Sequence, residues 1–168
     1  GSEEYGYISS LHFSNYAWMR SLYDVIKDRQ LRHVIVPGSH DAAMNEITRS
    51  GWWNFGSADN TETQSLDFYN QLRVGVRYFD MRIVSVENET FYGAHVDNEL
   101  HPDPLGATGP ALDDLIAGMN RFTDDYPGEV VVWWIRYMSD LSDSLDPEDR
   151  YWDRGKTNEF LDKLEGIR

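Results

Sequence analysis

A chain of 168 residues with a net charge of −14 and no cysteine excludes several classes at once. Nucleic acid is not an expected partner, since neutralising phosphates needs basic patches, and stable adsorption to anionic membranes is disfavoured for the same reason. Disulfides are impossible, no run of about 20 apolar residues is present to span a bilayer, and the length is that of one domain by ordinary priors.

In chain order, Gly1-Ser2 has the form of a residual cloning dipeptide, compatible with a removed leader. Tyr16 to Arg29 carries Trp18, Leu22, Val25 and Ile26 at helical spacing. Leu31 to Val36 reads as a buried strand stopped by Pro37-Gly38, its unbroken apolar run being what parallel strands covered on both faces require. Ala42 to Asn60 reads as a long loop holding Trp52, Trp53 and Phe55. Those aromatics suit either insertion at a membrane surface or plugging of a barrel mouth. Glu62 to Leu72 reads as a helix, and Val74 to Val84 as a second strand with Asp80 and Arg82 on one face and Phe79 and Met81 on the other.

Thr90 to His95 reads as a third strand, after a turn holding the glycosylation triplet Asn88-Glu89-Thr90. With the possible leader, that triplet sets the expected location as secreted or extracytoplasmic. Val96 to Pro110 is expected to be a second long loop, Leu112 to Phe122 a helix with Asp113 and Asp114 in its first turn, and Val130 to Tyr137 a fourth strand. Asp146-Pro147 carries the cap and first-turn signals of a last helix running to about Leu164. The acidic stretch Asp140 to Asp149 lacks the ligand spacing of a calcium loop.

Three segments deliver polar groups at strand ends: Val36-Pro37-Gly38-Ser39-His40-Asp41, Arg77-Tyr78-Phe79-Asp80-Met81-Arg82, and Tyr92-Gly93-Ala94-His95. Two imidazoles, two carboxylates and a guanidinium suit phosphodiester cleavage, which needs a base, an acid and a fixed positive charge for the phosphoryl oxygens. Singly, each has a plainer reading. His40 could be a loop residue, Asp41 a turn cap, Arg82 a partner of Asp80 or Asp41, and Arg136 a salt-bridge residue or a substrate contact. His12, His33 and His101 read as structural or solvated, and Arg77 as the partner of a helix carboxylate.

Taken in order, these segments resemble the X-domain family of phosphatidylinositol-specific phospholipases C, from about Leu31 to about Tyr137. Pro37 to Asp41 matches the family's P-G-[ST]-H-[DN] motif, Asp80-Met81-Arg82 its D-x-R motif, His95 its second catalytic histidine, and Pro127-Gly128-Glu129 the turn before its fourth strand. The resemblance implies a (β/α)8 TIM barrel of the phospholipase C type. Since such a barrel needs about 250 residues, this chain is expected to cover roughly the N-terminal half: residues 1–30 an N-terminal segment and helix, residues 31–168 the half-barrel. A complementary C-terminal half then becomes an expected partner.

The resemblance further implies the metal-independent branch, with no cofactor: metal-dependent relatives carry Asn after the first histidine and E-x-D on the second strand, where this chain has Asp41 and Asp80-Met81-Arg82. By the same resemblance, His40 is the base on the inositol 2-hydroxyl of a phosphatidylinositol-type lipid. His95, assisted by Asp41, is the acid toward the diacylglycerol oxygen, Arg82 stabilises the phosphoryl oxygens, Asp80 orients the site and Arg136 contacts substrate. The product is a cyclic inositol phosphate. The family's carboxylate for the first histidine would lie beyond Arg168. Competing readings are a metal-dependent glycerophosphodiesterase-like hydrolase and a catalytically silent barrel fragment or binding module.

Overall fold

The computed structural model describes residues 15–50, 58–86, 90–97, 105–141 and 150–168. In chain order these form a 3-10 turn (Asn15–Ala17), α1 (Trp18–Ser21), α2 (Tyr23–Ile26), a second 3-10 turn (Leu31–His33), β1 (Gly38–Ser39), β2 (Arg49–Ser50), α3 (Ala58–Thr61), α4 (Phe68–Arg73), β3 (Tyr78–Val86), β4 (Thr90–Asp97), β5 (Leu105–Ala111), α5 (Leu112–Asp125), β6 (Val132–Asp140) and α6 (Arg154–Leu164).

β3 is the axis of a mixed six-stranded sheet. One edge of β3 pairs in parallel with β6, from Tyr78–Val132 to Ser85–Asp140. Along its other edge, β1 pairs in parallel with the start of β3, and β4 pairs antiparallel with its end. β5 and then β2 extend the sheet antiparallel. Alternation sends Phe79, Met81 and Ile83 of β3 to one face, where they pack with Phe68 and Leu72 of α4, Leu112, Leu115 and Phe122 of α5, and Phe160 of α6. Asp80 and Arg82 take the opposite face, as period-two alternation requires.

Several expected elements differ from those observed. The N-terminal helix is broken at Leu22 (φ −102°, ψ 11°) into α1 and α2, and only Trp18 and Met19 of it are buried. The apolar run Leu31 to Val36 is not a strand. It forms a 3-10 turn and an extended approach, only Gly38–Ser39 pairs, and Ile35 is 96% exposed. Among the described residues no strand pairs outside that run, so Val34 and Val36 are only half-buried and Ile35 faces out. The helix expected over Glu62 to Leu72 is reduced to α4, which starts only at Phe68 because Asp67 caps it by accepting the Asn70 N–H at 2.7 Å, and α3 lies before Glu62, within the expected loop.

The loop expected over Val96 to Pro110 contains β5, and α6 starts at Arg154 with Asp153 as its cap. β3 and β4 are joined by residues 87–89 alone and pair antiparallel, so the strand–helix alternation of a (β/α)8 barrel is interrupted here. Trp133 packs against the core, whereas Trp134 is 50% exposed on the face of Asp80. Trp52, Trp53, Phe55, Asn88, His12, His101 and most of the acidic stretch after Asp140 lie outside the described residues.

Two buried polar groups tie the strand starts to the N-terminal segment. Arg77 is fully buried. It pairs with the buried Glu129 carboxylate at 2.7 Å and donates to the carbonyls of Leu72, Val76 and Tyr16. Glu129, on the turn before β6 rather than on a helix as expected for the partner of Arg77, also accepts the N–H groups of Met19 and Arg20. It thereby satisfies donors at the start of α1 that the helix itself leaves unpaired.

Candidate active site

β1 ends at Ser39, so His40 and Asp41 leave the sheet beside β3. Asp41 adopts φ +44°, a left-handed conformation that costs a residue with a Cβ about 1–2 kcal/mol. The segment after it packs tightly on the antiparallel strands. A methyl group added at Gly93 would fall 2.3 Å from the Cβ of Ala43, and one at Gly109 would fall 2.2 Å from the Ala43 carbonyl oxygen. Glycine at both positions lets β4 and β5 approach this segment.

Asp41, only 1% exposed, is the hub of the site. Its Oδ1 lies 3.0 Å from Arg82 Nε and 3.9 Å from Arg136 Nη2, and its Oδ2 lies 3.3 Å from His40 Nε2 and 3.8 Å from His95 Nε2. Neither oxygen accepts a well-aligned hydrogen bond, so the surrounding cations are what compensate this buried charge. Asp80 forms a second node, its Oδ2 2.6 Å from His40 Nδ1 and its Oδ1 2.7 Å from Arg136 Nε. Arg82 also donates to the Val96 carbonyl at 3.1 Å. The Nδ1 atom of His95 lies 3.4 Å from the Thr61 carbonyl.

The structure therefore brings all six singled-out side chains, His40, Asp41, Asp80, Arg82, His95 and Arg136, to one cluster. His33, by contrast, is exposed in the 3-10 turn before β1. Two guanidiniums and two imidazoles thus face two carboxylates. Both ring nitrogens of His40 face a carboxylate, Nδ1 that of Asp80 at 2.6 Å and Nε2 that of Asp41 at 3.3 Å, so the tautomer decides which of the two accepts its N–H. No group of three His, Cys, Asp or Glu side chains among the described residues is disposed to hold a metal ion.

Polar residues of the 61–71 segment surround the same loop and carry no motif signal. Gln71 is the most legible of them afterwards, as an amide on the buried side of α4 beside Phe68 and Leu72.

No family model matches the chain. A PI-PLC X-box domain-containing protein of Dictyostelium discoideum is 30% identical over 140 residues, covering 76% of this chain and 18% of its own length. The human PI-PLC X domain-containing protein 1 is 24% identical over 151 residues, covering 79% of this chain and 45% of the relative. Among solved structures, the phosphatidylinositol-specific phospholipase C of Staphylococcus aureus superposes with a TM-score of 0.64 at 21% identity, over 90% of this chain and 44% of the other. That of Listeria monocytogenes gives 0.53 at 20% identity, over 90% and 46%. The fold is thus shared with these enzymes, and the chain spans less than half the length of each of these relatives.

Proposed function

Because this chain belongs to the PI-PLC X-domain family, we propose that it supplies the acid–base half of a phospholipase C-like phosphodiesterase acting on phosphatidylinositol-type lipids. The observation that carries this reading is the convergence of His40, His95, Arg82 and Arg136 on the Asp41 and Asp80 carboxylates.

A phosphodiester resists attack because its oxygens repel nucleophiles and its leaving group is poor. His40, held by Asp80, accepts the proton of the inositol 2-hydroxyl at Nε2 as that oxygen attacks phosphorus. The bond from phosphorus to the diacylglycerol oxygen breaks, and His95, backed by Asp41, returns a proton to that oxygen. A cyclic inositol phosphate and diacylglycerol result, with protons balanced. Acid–base help of this kind is worth about 10²–10⁴-fold. Arg82 and Arg136 hold the charge on the phosphoryl oxygens, with Arg82 standing where metal-dependent relatives place a ligand.

The reading also needs a covering partner. Apart from a bridge between Ser139 and Tyr151, β6 pairs only with β3 among the described residues. Val130, just before β6, and Trp134 and Met138 within it are exposed. Such an apolar edge invites a further strand, and we assign it to a complementary half of the barrel, which would also contribute the groups that read the sugar.

The test is phosphorus NMR on phosphatidylinositol with this chain assembled with such a half. The expected result is a cyclic inositol phosphate signal that survives a chelator and is lost in His40→Ala and His95→Ala. No signal from the wild-type assembly would sink the catalytic reading. Loss of the signal on chelation would favour a metal-dependent, glycerophosphodiesterase-like hydrolase.

A further inference from the structure

The segment from α3 to α4 takes no part in the acid–base chemistry above, yet its polar groups close on the backbone that carries it. Gln64 Nε2 donates to the His40 carbonyl at 2.7 Å, Thr63 Oγ1 to the Asp41 carbonyl at 3.0 Å, and Gln71 Nε2 to the Ala42 carbonyl at 2.8 Å. Three consecutive carbonyls are thus each held by a different side chain. The N–H groups of Thr63 and Gln64 both donate to the Met44 carbonyl at 3.0 Å. From the opposite side, the Ala42 N–H donates to the Asp80 carbonyl at 2.9 Å.

The orientation of the Gln71 amide is fixed by its neighbours. Its Oε1 accepts from Ser39 Oγ at 2.7 Å, while Nε2 donates to the Leu66 carbonyl at 2.8 Å as well as to Ala42. A flipped amide would set its oxygen against two carbonyls. An apolar residue would be the ordinary occupant of this buried helix side. The amide instead connects the residue before His40 to the residue after Asp41.

We propose that Gln64, Thr63 and Gln71 are positioning residues. They hold the His40–Asp41–Ala42 backbone in the left-handed turn from which His40 reaches Asp80 and Asp41 reaches Arg82. The catalytic consequence rests on the phospholipase C-like reading, but the geometric claim does not. A hydrogen bond to each carbonyl resists rotation of the adjoining peptide plane. Rotation at residue 40 or 41 would swing the imidazole or the carboxylate off its partner.

The experiment uses Gln64→Glu and Thr63→Val, which remove a donor near the surface, with Gln64→Lys as the variant that restores an N–H at similar reach. Gln71→Met tests the buried member. Proton–nitrogen NMR follows the His40 Nδ1–H held by Asp80, thermal melting monitors the fold, and kcat and KM are measured on the assembled enzyme. In Gln64→Glu and Thr63→Val the fold is expected to persist while the Nδ1–H resonance broadens or is lost. A misplaced catalytic group lowers kcat by about 10–100-fold with KM nearly constant, and Gln64→Lys is expected to recover most of both signals.

An intact resonance with unchanged kcat in both surface variants overturns the proposal. So does lowered melting with the resonance intact, or absence of the resonance from the wild-type chain. If Gln71→Met fails to fold, the two surface variants decide. If the wild-type assembly forms no cyclic phosphate, the enzyme reading fails, and the resonance comparison still decides whether the brace exists.

Discussion

His40 and Asp80, 40 positions apart, meet at 2.6 Å because β1 runs parallel beside the start of β3 and ends where Asp80 leaves the pleat. The chain thus supplies, from β3, a carboxylate on the Nδ1 side of His40, a place the family resemblance assigns to a later strand. Replacing that oxygen by an amide preserves shape but offers Nδ1 the wrong partner. Asp80→Asn is expected to lower kcat of the assembled enzyme by about 10²-fold or more, as loss of an orienting carboxylate does in other histidine-based sites. Phosphorus NMR of cyclic phosphate release measures it, and an unchanged rate would remove Asp80 from the acid–base couple.

The site was far more legible in the sequence than the fold around it. His40, Asp41, Asp80, Arg82 and His95 stand in short motifs whose chemistry is local. His40 and Asp41 follow the end of β1, whereas Asp80, Arg82 and His95 lie within β3 and β4 rather than at the strand ends expected of them. Strand limits depend on neighbours that a local window does not contain. Leu31 to Val36 has the composition of a buried strand, yet Ile35 is 96% exposed because no described strand lies outside it. β5 was hidden for the opposite reason. Leu105-Gly106-Ala107-Thr108-Gly109-Pro110 looks like a loop, but Gly106 (φ +142°) is there because any Cβ would collide with the His95 carbonyl oxygen. Likewise Glu129 was visible only as part of a turn, since its pairing with Arg77 spans 52 positions.

That Arg77–Glu129 pair makes the second prediction. Burial pushes the Arg77 guanidinium below its usual range, and the Glu129 carboxylate opposes the shift. Arg77→Met leaves a buried carboxylate without its cation, which typically costs about 3–5 kcal/mol. Removing both charges with Glu129→Leu in addition is expected to recover a substantial part of that loss in urea unfolding. Amide exchange at Met19 and Arg20 should accelerate whenever Glu129 is replaced, because its oxygens accept those N–H groups. Losses that simply add in the double variant would argue that the two residues act independently.

A third prediction concerns the packing behind the loop that carries His40 and Asp41. Gly93→Ala would set a methyl 2.3 Å from Ala43 Cβ, a contact relieved only by moving one strand or the loop. Overpacking of this kind costs about 1–3 kcal/mol. Because Ala43 is two residues from Asp41, a shift of the loop is expected to reach Asp41 and lower activity beyond what the stability loss explains. Ala43→Gly removes the struck methyl and is expected to restore part of both in a double-mutant cycle. A cycle with no coupling would mean that the strand, not the loop, absorbs the clash.

Alkaline pH offers a test on the outer face of the helices. The Tyr69 hydroxyl donates to Asp125, with Arg121 stacked 4.0 Å over the ring. That hydrogen bond, aided by burial, raises the phenol above its ordinary value of 10.0. Below that value both folded and unfolded chains hold the proton, and the stabilisation from the bond is fully present. As pH rises past it, the unfolded chain releases its proton first, so stability falls until the folded phenol ionises as well. Tyr69→Phe should therefore be slightly less stable at neutral pH, by about 0.5 kcal/mol for a solvent-facing bond. Its urea midpoint should decline less steeply than that of the wild type above pH 10. Parallel alkaline limbs for the two proteins would show that the Asp125 contact does not hold the phenol proton in solution.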